Sequence, residues 1–155
     1  MVNSTLHQKE SRPIQQYTSP LLRATKRILI VNYENDVNFA LKLVLEQQPS
    51  GGQDRSNCFK VDSFNDPISA LKHLEKEAYD LLIIAVVMPE MNGFEFAKQL
   101  RNIDDKVKIC FLITGEIPNK LRFDRDCEQE ESQDKFIKLP IENHELVQEI
   151  DKMIR

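Results

Sequence analysis

The segment from Leu81 to Val87 restricts the fold of this chain more than any other feature. All of its residues are apolar, and no polar residue alternates with them. A strand with one face in water would alternate, so the pattern is typical of a central parallel strand covered on both faces. Helices on both sides of a sheet provide that cover, and the segment therefore favours an α/β fold.

Short apolar runs alternate with segments of helical spacing from residue 26 onwards. The predicted strands are 27–31, 58–64, 81–87, 107–113 and 135–138. The predicted helices begin at Asn35 or Asp36, at Pro67, near Phe94, near residue 117 and at His144. The second is expected to run to Ala78, and the fourth, over 117–132, has a thin apolar stripe. This order predicts a doubly wound five-stranded parallel sheet, in which functional sites form at the carboxyl ends of the strands.

Composition limits the chain to one soluble domain. The 155 residues are 41% hydrophobic and 30% charged, which is enough apolar material for one core. The longest strongly apolar run has eight residues, fewer than a membrane span needs. The three cysteines, Cys58, Cys110 and Cys127, form no metal-binding or disulfide pattern, so reduced thiols in a cytoplasmic protein are expected, with no metal site.

Charge divides the chain into two parts. Residues 1–27 carry +4, whereas the whole chain carries −4. Residues 1–25 are rich in serine, glutamine and proline and are predicted to be a flexible basic tail, followed by a domain over 26–155. The acidity of the domain argues against non-specific nucleic-acid binding and leaves only the tail as a possible DNA contact.

Enzyme motifs are absent from the sequence. Four glycines form no phosphate-binding loop, no serine lies on a nucleophile elbow, and the three histidines have no paired spacing. The chain is therefore not expected to be an enzyme or to hold a cofactor. A flavodoxin-like cofactor binder remains an alternative that flavin absorbance would decide.

Four segments together resemble a response-regulator receiver domain: 28–34, 79–95, 113–115 and 136–140. The most specific part is the Met-Pro-x-Met-x-Gly-x-Glu pattern over 88–95, which follows the apolar strand. The resemblance covers about residues 26–155. It implies a flavodoxin-like topology with strand order 2-1-3-4-5.

The family's chemistry is phosphoryl transfer from a histidine kinase to an aspartate at the end of the third strand, with Mg²⁺ held by that aspartate and two acids after the first strand. In this sequence the acceptor position is Ala85, the two metal positions are Asn32 and Tyr33, and the position of the family's lysine is Leu139. Of these chemical positions, Thr114 alone keeps its expected residue type, a hydroxyl. The resemblance therefore implies a receiver whose phosphorylation site is degenerate.

Several neighbouring residues have expectations of their own. Lys138 is one residue before the lysine position and should point to the opposite face of the sheet. Phe136 is at the position of the family's switch aromatic. The Leu139–Pro140 peptide bond is at a position where the family's peptide bond is often cis. Glu34 is interpreted as a helix-start or solvated residue rather than a ligand. Tyr33 either caps the sheet end or, as we prefer, fills the vacated pocket.

The leading hypothesis is a pseudo-receiver that signals through phosphorylation-independent protein–protein interaction, as a stand-alone cytoplasmic domain with another signalling protein as its partner. A phosphorelay regulator with a non-standard acceptor and a DNA-binding regulator are the alternatives. Active receivers commonly signal through the last two helices and the last strand. That region has a net charge of −5 over residues 124–134, and Glu128, Glu130 and Glu131 are candidates for docking a basic partner.

Overall fold

The computed structural model describes residues 25–47, 59–118 and 134–154. Its core is a five-stranded parallel sheet with the order β2-β1-β3-β4-β5. The strands are β1 (Lys26–Val31), β2 (Phe59–Phe64), β3 (Leu81–Ala85), β4 (Lys108–Ile113) and β5 (Lys135–Lys138). The predicted sheet, its parallel strands and its strand order are confirmed.

Helices cover both faces of this sheet. They are α1 (Asn35–Gln47), α2 (Pro67–His73), α3 (Gly93–Ile103) and α4 (Asn143–Ile154). Leu41 and Leu45 of α1 pack with Ile150 of α4 on one face. Phe96 and Leu100 of α3 pack on the other face, together with Ala70 of α2. Every residue of β3 is buried between these layers, as its unbroken apolar sequence predicts.

Three helices differ at their ends from the prediction, and the smallest difference is that α4 begins at Asn143 rather than at His144. Asn35 lies inside α1, because the Glu34 carbonyl accepts the N–H of Asn38 and so begins the helix one residue earlier. Helix α2 begins as predicted, with Asp66 capping and Pro67 at the first position, but it ends at His73 rather than Ala78.

Tertiary contacts account for the early end of α2. Glu77 adopts a left-handed φ of 61°, and its N–H donates to the Asp104 carboxylate at 2.9 Å. The Tyr79 hydroxyl donates to Asp62 at 2.9 Å, and Arg27 lies over the Tyr79 ring. These bonds hold the chain on the sheet edge and so oppose a longer helix.

Two predicted segments lie outside the described residues. They are the basic tail, except for residue 25, and most of the fourth predicted helix, which falls within 119–133. No helix in the described part of the chain is long and apolar enough to cross a membrane.

Asp104 anchors the turn between α3 and β4. Its side chain is 5% exposed and accepts backbone N–H bonds from Glu77, Lys106 and Val107. Burial alone would raise the pKa of this carboxyl, but the three N–H donors and the nearby Lys76 lower the pKa overall. The charged form is therefore stabilised by folding.

Asp104→Asn should reduce the free energy of unfolding at neutral pH by about 1–3 kcal/mol, because buried N–H groups lose a charged acceptor. The pKa of Asp104 in the folded state lies below its value of about 3.9 in the unfolded chain. The carboxylate therefore makes its full contribution to the free energy of unfolding above about pH 3.9, and this contribution disappears as the pH falls through the folded-state pKa. Urea unfolding between neutral and acidic pH measures this. The exposed neighbour provides a control, Asp105→Asn. Equal losses in both variants, or a loss in Asp104→Asn that persists at the lowest pH, would contradict this role of Asp104.

Removal of residues 1–25 should leave the domain folded. Few large apolar residues precede Lys26, so little of the apolar core should be lost with them. The thermal midpoint should therefore fall by no more than a few degrees, the shift that corresponds to about 1 kcal/mol. Calorimetry of the full-length and shortened chains measures this, and loss of a cooperative transition would show that the removed segment belongs to the core.

Candidate functional site

Backbone hydrogen bonds hold the candidate residues at the carboxyl edge of the sheet. The N–H of Asn32 donates to the Phe64 carbonyl at 3.1 Å, just beyond β1 and β2. Between β4 and β5, Leu139 N–H donates to the Ile113 carbonyl at 2.8 Å. The strand pairing therefore continues past the strands and fixes the positions predicted for the site.

Ala85 is the last residue of β3 and is 1% exposed. The chain returns against it at Gly93, whose N–H donates to the carbonyl of Val86 at 2.9 Å. A Cβ atom at Gly93 would overlap the carbonyl oxygen of Ala85. Close packing of the two backbones thus requires glycine at 93, and the Ala85 methyl group offers no nucleophile.

Asn32 follows β1 and is fully buried. Its backbone carbonyl accepts the side-chain N–H of Asn38, from α1, at 2.8 Å. Neither polar side-chain atom of Asn32, nor the Asn38 side-chain oxygen, has a hydrogen-bond partner in the structure as far as it is described. The side-chain amides of Asn32 and Asn38 are uncharged. Buried polar atoms usually form hydrogen bonds with the protein or with bound water.

Tyr33 does not fill the space beside Ala85. It is 42% exposed at the start of the loop between β1 and α1, so the preferred interpretation of this residue was wrong. A phenol has a polar hydroxyl, which gains by remaining in contact with water. The Glu34 carbonyl accepts the first main-chain bond of α1, which confirms its interpretation as a helix-start residue.

Thr114 and Leu139 follow β4 and β5 side by side. Thr114 is exposed, and both residues, with Glu34, line a cavity of about 360 Å³ between α1 and α4. Leu139 packs against the apolar residues on the α1 and α4 side of the sheet, whereas Lys138 is exposed. The Leu139–Pro140 peptide bond is cis, as the family resemblance implies.

Phe136 belongs to an aromatic cluster on the other side of the sheet. Its ring stacks on Phe111, its partner across β4 and β5, with 5.2 Å between the ring centroids. Phe94 of α3 adds centroid distances of 4.8 Å to Phe111 and 6.4 Å to Phe136. Phe136 is half-buried and held on two sides by these rings.

Sequence reasoning missed Asn38 and Phe111. Asn38 lies within an apolar helical stripe, and a polar residue there is a usable signal of a buried contact. Phe111 could have been paired with Phe136 if the register of β4 and β5 had been known. Glu128, Glu130 and Glu131, the predicted docking acids, lie outside the described residues.

The chain belongs to the response regulator receiver domain family, whose model matches residues 28–151. It is 34% identical over 129 residues to the response regulator receiver protein CpdR of Brucella abortus, a match that covers 83% of this chain and 97% of CpdR. The family defines a signalling module of two-component systems.

Two further comparisons give the range of relatives. The CAI-1 autoinducer sensor kinase/phosphatase CqsS of Vibrio cholerae is 26% identical over 110 residues, which are 70% of this chain and only 15% of CqsS. The receiver domain of the sensor histidine kinase PA1611 of Pseudomonas aeruginosa, solved with a magnesium ion in its active-site cleft, has a TM-score of 0.62 and 22% identity. That alignment covers 84% of this chain and 98% of the domain. It shows the shared fold.

Proposed function

We propose that this chain is a degenerate receiver, which acts through protein–protein interaction without phosphorylation at the end of β3. The observation that carries the proposal is Ala85, a buried methyl group at the last position of β3. Phosphoryl transfer to a receiver needs a nucleophilic oxygen, and alanine has none.

The residues around Ala85 do not fit Mg²⁺. Magnesium in phosphoryl-transfer sites is held by one or two carboxylates, with water and phosphate oxygens completing the octahedron. At this edge the metal positions hold the buried amide of Asn32 and the exposed phenol of Tyr33. The carboxylate of Asp66, after β2, already accepts two backbone N–H groups as the cap of α2. The proposed function therefore involves no metal at this edge of the sheet.

The aromatic cluster supports a single signalling form. Phe136 is packed on Phe111 and Phe94, and Thr114 has no phosphoryl group to approach. An equilibrium between two forms moves only when a ligand binds one form more tightly. Without phosphorylation, the surface beside β5 should keep one form, and binding to a partner should be constitutive.

The partner in this proposal is another signalling protein, such as a kinase or an effector. A basic partner would suit the acidic residues Glu128, Glu130 and Glu131, which remain a prediction. A non-standard phospho-acceptor, the alternative function, is not favoured by any contact of the described residues.

Beryllofluoride with Mg²⁺, which mimics a phosphoryl group on aspartate, should leave the amide spectrum unchanged at residues 85–88 and at Thr114. The reason is that Ala85 offers no oxygen to hold the mimic. Two-dimensional amide spectra before and after addition measure this, with an active receiver domain as the positive control. Saturable shifts confined to these residues would contradict the proposal.

A further inference from the structure

A groove runs between α1 and α4 on one face of the sheet. Its cavity of about 360 Å³ has a largely apolar lining, which includes Val37, Ala40 and Val44 of α1 and Leu146 of α4. Pro140, from the loop after β5, also lines the groove. Cavities of this size and lining suit an apolar side chain or two from another segment.

An exposed apolar stripe extends this groove across α1. Phe39 is 65% exposed and Leu43 is 39% exposed, and they are neighbours because they are four residues apart on a helix. On a helical projection, Ala40 and Val44 lie between this pair and the buried face of α1. A continuous apolar surface of this kind on a soluble domain marks a contact site.

The two helices that line the groove are acidic overall, and Glu34 lines the cavity itself. Residues 34–47 and 142–154, which form α1, α4 and the residues that lead into them, have seven acids and two lysines, a net charge of −5. A second copy would bring the same negative charge, so the surface disfavours self-association through this face. The occupant that it fits is an apolar segment with positive charge.

Residues 12–24 of the same chain have this chemistry. They contain Ile14, Tyr17, Leu21 and Leu22, two arginines and no acid. They join the domain at Thr25, at the amino end of β1. Helix α1 returns from the carboxyl end of β1 to the amino end of β2, so its last turn lies at the same edge of the sheet.

The length of the segment is sufficient. The 13 residues of α1 extend about 20 Å at 1.5 Å per residue. An extended chain advances about 3.3 Å per residue, so Leu21 and Leu22 can reach the lower groove beside Val44. Ile14 can reach the upper end beside Pro140.

We propose that residues 12–24 dock in the α1–α4 groove and cover Phe39 and Leu43. Covalent linkage makes this contact intramolecular, so even weak apolar and ionic contacts can keep the groove occupied. The segment then competes with any partner that binds the α1 face. The docking does not depend on whether the receiver is phosphorylated.

Photo-crosslinking of the full-length chain tests the docking. A benzophenone side chain placed at Leu21 should crosslink to peptides that contain Phe39–Val44 or Ile141–Leu146, as read by mass spectrometry. An equal mixture of isotope-labelled and unlabelled protein separates crosslinks within one chain from those between copies. The Phe39→Ser variant should lose at least half of the crosslink. Val87→Ser, which changes an apolar residue that is 39% exposed and lies outside the groove, should keep it. Circular dichroism shows whether both variants remain folded.

High salt should also weaken the crosslink, since exposed charges are screened within about 8–10 Å near physiological ionic strength. Any one of four results would overturn the proposal. They are crosslinks to α2 or α3, crosslinks between copies, no crosslink, and equal losses in the two serine variants.

Discussion

Ala85→Asp should lower the free energy of unfolding by about 1–3 kcal/mol, because a carboxylate replaces a buried methyl group with no cation beside it. Ala85 is 1% exposed, and its neighbour along the edge, Asn32, is an uncharged amide. Burial should raise the pKa of the new carboxyl above that of the unfolded chain. The loss should therefore be small at acidic pH, where the group is neutral, and should grow as pH rises through and beyond the unfolded value.

A second set of changes should create a metal site. Asn32→Asp and Tyr33→Asp, added to Ala85→Asp, should destabilise the fold further by crowding like charges. Millimolar Mg²⁺ should then restore part of the stability, since it binds the folded state only. Urea unfolding with and without Mg²⁺ measures both effects.

The uncharged isostere separates charge from shape. Ala85→Asn adds a side chain of the same size, and its cost should not depend on pH. If Ala85→Asp is neutral and the triple variant ignores Mg²⁺, these residues do not form one site.

Gly93→Ala should lower the free energy of unfolding by about 3 kcal/mol, the upper part of the range for overpacking. The added Cβ would meet the backbone carbonyl of Ala85, which cannot move aside as a flexible side chain can. The matched control is Gly115→Ala, since a Cβ there meets no atom within 4 Å. The control should stay within about 0.5 kcal/mol of wild type. Equal effects in the two variants would show that the close approach of Gly93 to β3 is unimportant.

The strands could be predicted because a strand that is buried on both faces has an unbroken run of apolar residues. The apolar runs at β1, β3 and β4 fixed their positions within one or two residues. The ends of the helices could be predicted less well from the sequence. Helix α2 stops at His73 because Asp104 and Asp62 bind the chain that follows, and both acids are distant in sequence.

The positions of the site residues followed from the family pattern, whereas their side-chain environments did not. Ala85 could be assigned to the end of β3 from its sequence motif. The exposure of Tyr33 depends on the path of a loop, and the buried contact of Asn38 with Asn32 depends on how α1 packs. Neither leaves a periodic pattern in the sequence.

The most direct test of the central claim is the intact mass of the full-length protein after incubation with acetyl phosphate and Mg²⁺, with an active receiver domain treated in parallel. We expect no acid-labile phosphate on this chain, because the residue at the end of β3 is Ala85. Stoichiometric phosphate on an aspartate or glutamate at the carboxyl edge of the sheet would contradict the account.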